Sequence, residues 1–334
     1  MYALIATCLA LAALLALDAC GLLVTSAAWR VLSRRTSGWP ASSRARSLFT
    51  LRALPPALAA LFVFALVLPA YVLNEPAHTS ETVGVKLLLL AAASAAGVLL
   101  ALRRVAATWL ATRSLARGWI RQAEPVEVRG ISIPAYRIRH RFPVVAVVGA
   151  LRPRLFVAAQ VFDALAEEEL AAALAHERRH VEARDNLKRA LLQAGQDALL
   201  FFPFGRSLTR AWQRESELAA DEFAASRGPA SALNLASAII KISRLVPAGE
   251  RPSLPACAHL LGADEDGLSR RVLRLLQLAS PDGRAHTAPG SSARALPAPA
   301  FWLCLSAAFL FAVTRPEVLN FTHAAIERAV ALLR

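Results

Sequence analysis

His176-Glu177-Arg178-Arg179-His180 and, thirty-seven residues on, Glu217-Leu218-Ala219-Ala220-Asp221 are the two segments whose reading organises the chain. Histidines at i and i+4 leave one helix face a single turn apart, so both imidazoles can reach the same metal ion. Glu177 is turned about 100° from His176 by the 3.6-residue period. It is a poor third ligand and a suitable acceptor for a proton from water on the metal. Glu217 and Asp221 repeat the i, i+4 spacing on a second predicted helix. Glu217 completes a set of two histidines and a glutamate of the kind that holds zinc, one ion per chain, and Asp221 can accept the N–H of a ligating histidine and fix its tautomer. Glu215 competes with Glu217 as a ligand, but only Glu217 has an Asp four residues on. Asp185, five residues after His180, reads either as a further partner behind the site or as an ordinary surface acid. The motif His-Glu-x-x-His alone arises by chance in charged helices. Here, apolar Leu170, Ala171, Ala172 and Leu174 precede it, and Ala219, Ala220, Phe223 and Ala224 surround the second segment, so both helices have faces to bury against each other.

The first of these helices is expected to start near Asp163 as N-cap, pass through Glu167–Glu169 and run to about Gln193. A second is expected over about Ser207 to Ser226, closed by Gly228-Pro229, a third over Ser231 to Leu245, and a fourth, basic one after Asp266-Gly267. Upstream, Val126–Ile133, Val144–Val148 and Leu155–Val157 are β-branched runs bounded by glycine and proline and read as short strands. Ala190 to Phe204 is apolar but broken by Gln193, Gln196 and Asp197, as expected of an amphipathic piece packed on the domain or the bilayer surface.

Around this α+β unit the chain is apolar to a degree that excludes an ordinary soluble enzyme. Of its 334 residues, 56% are hydrophobic, above the ~45–50% usual for globular proteins. Residues 1–29 carry one charge, Asp18, and are long enough to cross a ~30 Å hydrocarbon layer. They lack the basic leader and short apolar core of a cleaved signal peptide. Residues 53–73, 83–102 and 295–314 are three further candidate spans, with prolines near their ends. Arg30, Arg34, Arg35, Arg44, Arg46 and Arg52 crowd the 30–52 loop, and Arg103, Arg104, Arg113, Arg117 and Arg121 follow the third span, which places both segments in the cytoplasm. The 74–82 loop and the 315–334 tail are then external, and 103–279, followed by a 280–294 linker, is a cytoplasmic domain. The net charge of +14 is explained by these flanking arginines. They lack interleaved aromatics, so nucleic acid is not expected as a partner. Four cysteines without a C-x-x-C pair give no disulfide framework or thiolate site. Asp18, costly inside a span, reads as a carboxyl bonded to a neighbouring helix.

Pro143-Val144-Val145, Gly149, Arg152-Pro153-Arg154-Leu155, His176-Glu177-x-x-His180 with Asp185-Asn186, and Glu217-Leu218-Ala219-Ala220-Asp221-Glu222 together resemble the BlaR/MecR-type membrane metallopeptidases. The motifs cover about Ile131 to Ser226, and a peptidase between the third and fourth of four spans extends the likeness to nearly the whole chain. The resemblance implies a mainly α-helical membrane protein with four transmembrane helices and a cytoplasmic, gluzincin-like zinc metallopeptidase domain in the inner membrane. It also implies His176, His180 and Glu217 as zinc ligands, Glu177 as general base and Asp221 as the residue orienting a ligand. Only about twenty residues follow the last expected span, so no counterpart of the penicillin-binding sensor domain of those transducers is expected and β-lactam signalling is not carried over. A protein or peptide substrate, such as a repressor or other regulator, follows from the likeness. Alternatives are a membrane quality-control peptidase of the HtpX type and a non-catalytic signalling scaffold. Arg214 and His140 are candidates for stabilising an oxyanion, and the strand at Val144–Val148 for receiving an extended substrate.

Overall fold

The computed structural model describes residues 2–75, 83–128, 130–199, 204–247, 258–259, 265–280, 307, 309, 311 and 313–333. Three helices among them are long and apolar enough to cross a membrane: Tyr2–Arg35 (α1), the continuous run Ala41–Asn74, and Val85–Ile120 (α4). The second is an α-helix over Ala41–Phe62 (α2), a π-helical turn over Val63–Val67, and an α-helix over Leu68–Asn74 (α3). Pro69, which has no N–H to continue the ladder and crowds the preceding turn, accounts for the widened turn. The expected fourth span, 295–314, lies almost wholly outside the described residues, as do most of the 280–294 linker and the 74–82 loop.

The helices extend well past their hydrophobic runs. The 30–52 segment, expected as a loop, is helical to Arg35 and again from Ala41, with only a short turn between. The alternation of arginine with Ala45, Leu48 and Phe49 gives α2 an apolar stripe outside the apolar core, and that stripe buries against Leu192, Leu208 and Trp212. Pro55 and Pro56 therefore fall inside α2 rather than near its start. The 315–334 segment, expected as a tail, contains a helix over Pro316–Leu333 whose Ile326 packs against Ile5, Val67 and Tyr71.

The mixed sheet comprises β1 (Glu124–Val126), β2 (Ala135–Ile138), β3 (Val145–Val148), β4 (Arg154–Ala158) and β5 (Ala258–His259), in the order β1-β2-β4-β3-β5. Only the β2–β4 pair is parallel. Residues 127–128 and 130–134, most of the first expected strand, are irregular and include Gly130 at φ 81°. Leu155 and Val157 on β4 face one core, while Phe156 and Ile138 face Ala116 and Trp119 of α4, as the period of two along a strand requires. The end of α4 is thus the floor of the sheet.

On the opposite face lie α5 (Ala159–Ala164), α6 (Glu167–Glu182), α8 (Phe204–Ala225), α9 (Pro229–Arg244) and α10 (Glu265–Ala279). The expected single helix from Asp163 to Gln193 is three pieces. Asp163 lies within α5, α6 starts after Ala166, and Arg184 at φ 54° breaks the run before α7 (Asp185–Ala198). The carboxylate of Glu169 accepts the N–H of Ala166 at 2.9 Å and caps α6. The described part of the Ala190–Phe204 stretch up to Leu199 is helical to Ala198 and docks on the long helices. Leu199 packs on Ala19 and Leu22 of α1, and a Cβ at Gly97 of α4 would overlap the carbonyl oxygen of Ala198. Asp18 is buried beside the charge of Arg52, and its Oδ1 has no hydrogen-bond partner among the described residues. Among the described residues, that oxygen makes no bond to a neighbouring helix.

Candidate metal centre

His176 and His180 stand on α6 with their Nε2 atoms 3.2 Å apart, at 0% and 3% exposure. Glu217, on α8, places one carboxylate oxygen 3.6 Å from Nε2 of His176 and the other 3.7 Å from Nε2 of His180. The helix spacing delivers the pair, and the packing of α6 on α8 delivers the third group; Ala172, Ala173, Ala219 and Ala220 are buried on those two helices. Small side chains at those positions let the two helix backbones approach closely.

Each histidine is held from behind by its own aspartate. His176 Nδ1 lies 3.0 Å from Oδ1 of Asp221. His180 Nδ1 lies 2.8 Å from Oδ2 of Asp185, which also accepts the Ser216 hydroxyl at 2.6 Å. Asp185 is therefore a partner behind the site and not a surface acid. With Nδ1 donating to a carboxylate, each Nε2 presents its lone pair to the other, an arrangement that requires a cation or a proton between them. The chemistry of the donor set fits zinc. Bonds of ~2.0–2.2 Å at tetrahedral angles set ligand atoms ~3.3–3.6 Å apart. Oε2 of Glu217 is buried and accepts no hydrogen bond among the described residues.

Glu177 is fully buried, and neither of its carboxylate oxygens has a hydrogen-bond partner among the described residues. Burial pushes its carboxyl up to about 8, the charge of Glu217 adding to the effect and His180, Arg271 and Arg189 opposing it. Burial would raise the carboxyls of Glu217, Asp221 and Asp185 as well, but neighbouring cationic groups hold all three below the usual carboxylate range. For Glu217 these are chiefly His180 and His176, for Asp221 Arg271 and His176, and for Asp185 His180.

Arg271, on α10, is the member of the site that sequence reasoning does not reach. Its Nε and Nη2 donate to the two oxygens of Asp221 at 2.8 and 2.7 Å, and its Nη1 lies 3.3 Å from Oε2 of Glu217. No spacing signal marks it, because α10 meets the site only through tertiary packing. The two residues proposed from sequence to stabilise an oxyanion stand elsewhere. His140 hydrogen-bonds the Phe142 backbone and packs on Trp119, and Arg214 is exposed on α8. Glu215 is turned to Arg44 of α2 at 3.0 Å and does not compete as a ligand. The expected substrate edge on β3 is already paired, since β5 hydrogen-bonds it at Ala146 and Val147.

No curated protein matches the chain. The family model described as BlaR1 peptidase M56 matches residues 23–275, more than half of the sequence, with α6 and α8 of the candidate centre inside the match. The chain belongs to the BlaR1 peptidase M56 family.

Proposed function

We propose that this protein is an integral membrane zinc metalloendopeptidase that hydrolyses peptide bonds of a protein substrate, with His176, His180 and Glu217 as the zinc ligands. The observation that carries the reading is the facing pair of Nε2 atoms closed by the Glu217 carboxylate, beside a buried Glu177 with no hydrogen-bond partner among the described residues. When bound, zinc in such a site acidifies water toward a pKa of ~7 and polarises a peptide carbonyl. Glu177 takes the proton as water attacks and returns it to the leaving amine. Asp221 and Asp185 keep both histidines in the Nδ1–H tautomer, and Arg271 holds Asp221 in place. In this reading the domain faces the cytoplasm of a multi-pass inner-membrane protein, and a repressor or other regulatory protein is the substrate class. Zinc analysis and peptide hydrolysis on purified protein test it. Glu217→Ala is expected to lose both zinc and cleavage, and retention of zinc by that variant would remove the proposed ligand set.

A further inference from the structure

A second group of metal-type donors lies at the far end of the long helices. Glu75 caps α3, and His323 and Glu327 lie one turn apart on the Pro316–Leu333 helix. One donor atom from each comes within 4.8 Å of the other two. Among the described side chains of that helix, Thr322 and Ile326 are the buried ones and fix its rotation against α1 and α3. His323 and Glu327 follow each of them by one residue, so both fall on the flank next to Glu75.

His323 Nε2 and Glu75 Oε2 are 4.0 Å apart. That is too long for a hydrogen bond, and it is wider than the ~3.3–3.6 Å between ligand atoms of a tetrahedral zinc, so the two side chains would draw together by a few tenths of an ångström on an ion. The other ring nitrogen, Nδ1, is shielded from solvent and has no hydrogen-bond partner among the described residues. An imidazole with two carboxylates selects zinc and its transition-metal neighbours over calcium or magnesium, which prefer all-oxygen shells. The run from Ala41 to Asn74 separates this group from the α6–α8 centre by roughly 50 Å at 1.5 Å per residue, so one ion cannot serve both.

We propose that Glu75, His323 and Glu327 form a second divalent transition-metal site of the zinc class, which fastens the Pro316–Leu333 helix to the end of α3. The inference is independent of the peptidase reading. The test is metal stoichiometry on the full chain in detergent, stripped with chelator, titrated with zinc alone and counted by mass spectrometry. The expected result is two equivalents for the unaltered protein. His323→Ala with Glu327→Gln retains one and His176→Ala with His180→Ala retains one, while the combination of all four retains none. Retention of the first equivalent shows that the outer variant is folded. A His323→Ala, Glu327→Gln variant that binds as many equivalents as the unaltered protein overturns the proposal, whatever the α6–α8 centre holds.

Discussion

Arg271 grips both carboxylate oxygens of Asp221, at 2.8 and 2.7 Å, while Oδ1 of the same carboxylate lies 3.0 Å from His176 Nδ1. A residue on α10 thus governs the orientation of a histidine on α6 through an acid on α8. Removing one partner of a buried ion pair costs ~3–5 kcal/mol, whereas removing both is far less damaging. Arg271→Met is therefore expected to lower the melting temperature in detergent by several degrees, and Arg271→Met with Asp221→Asn to recover part of the loss. Equal melting of Arg271→Met and the unaltered protein would contradict this role.

Asp185 reaches the proposed metal site through His180. Losing such a partner typically weakens metal binding ~10–100-fold. Asp185→Asn is expected to show a loss in that range by competition with a fluorescent chelator, and Ser216→Ala a smaller one. Undiminished affinity in Asp185→Asn would return Asp185 to a purely structural role.

Gly97 sets the contact between α4 and α7. An added methyl there meets the Ala198 carbonyl, whereas at Gly118, further along α4, it meets nothing within 4 Å. Overpacking of this kind costs ~1–3 kcal/mol. Thermal melts should show Gly97→Ala destabilised and Gly118→Ala unchanged or slightly improved. The reverse order would remove α7 from the face of α4.

Glu169 joins α6 to α9 by accepting Ser237 Oγ at 2.6 Å and Lys241 Nζ at 2.7 Å. Burial alone would raise its carboxyl, but these bonds and the Ala166 N–H hold it below its ordinary value of 4.5. A depressed folded pKa means that the contribution is present above the unfolded value and is lost as pH falls through the folded one. Glu169→Gln should cost about 1 kcal/mol at neutral pH, Lys241 being partly solvated. The gap to the unaltered protein should narrow below pH 4.5. A gap constant down to pH 3 would show that the carboxylate charge contributes nothing.

The local parts of this architecture were legible and the tertiary parts were not. The spacing of His176 and His180, and of Glu217 and Asp221, is a property of single helices, and the structure brings all four together. Three spans could be read from apolar length, but their extensions could not. The 30–52 arginines look like a loop until Leu48 meets Trp212. The break at Arg184 lies in a run of good helix formers and is set by Asp185 turning back to His180 and Asn186 to the Val147 and Gly149 carbonyls. Arg271 and the pairing of β5 with β3 depend on segments distant in sequence and carry no periodic signal.

Glu177→Gln tests the central claim most directly, because it keeps the side-chain volume and removes only the proton acceptor. Measured on one purified preparation, zinc content and peptide hydrolysis should separate: one equivalent retained in the α6–α8 centre, and cleavage reduced by at least the ~10²-fold that a general base contributes. Hydrolysis at the unaltered rate by that zinc-loaded variant would contradict the account.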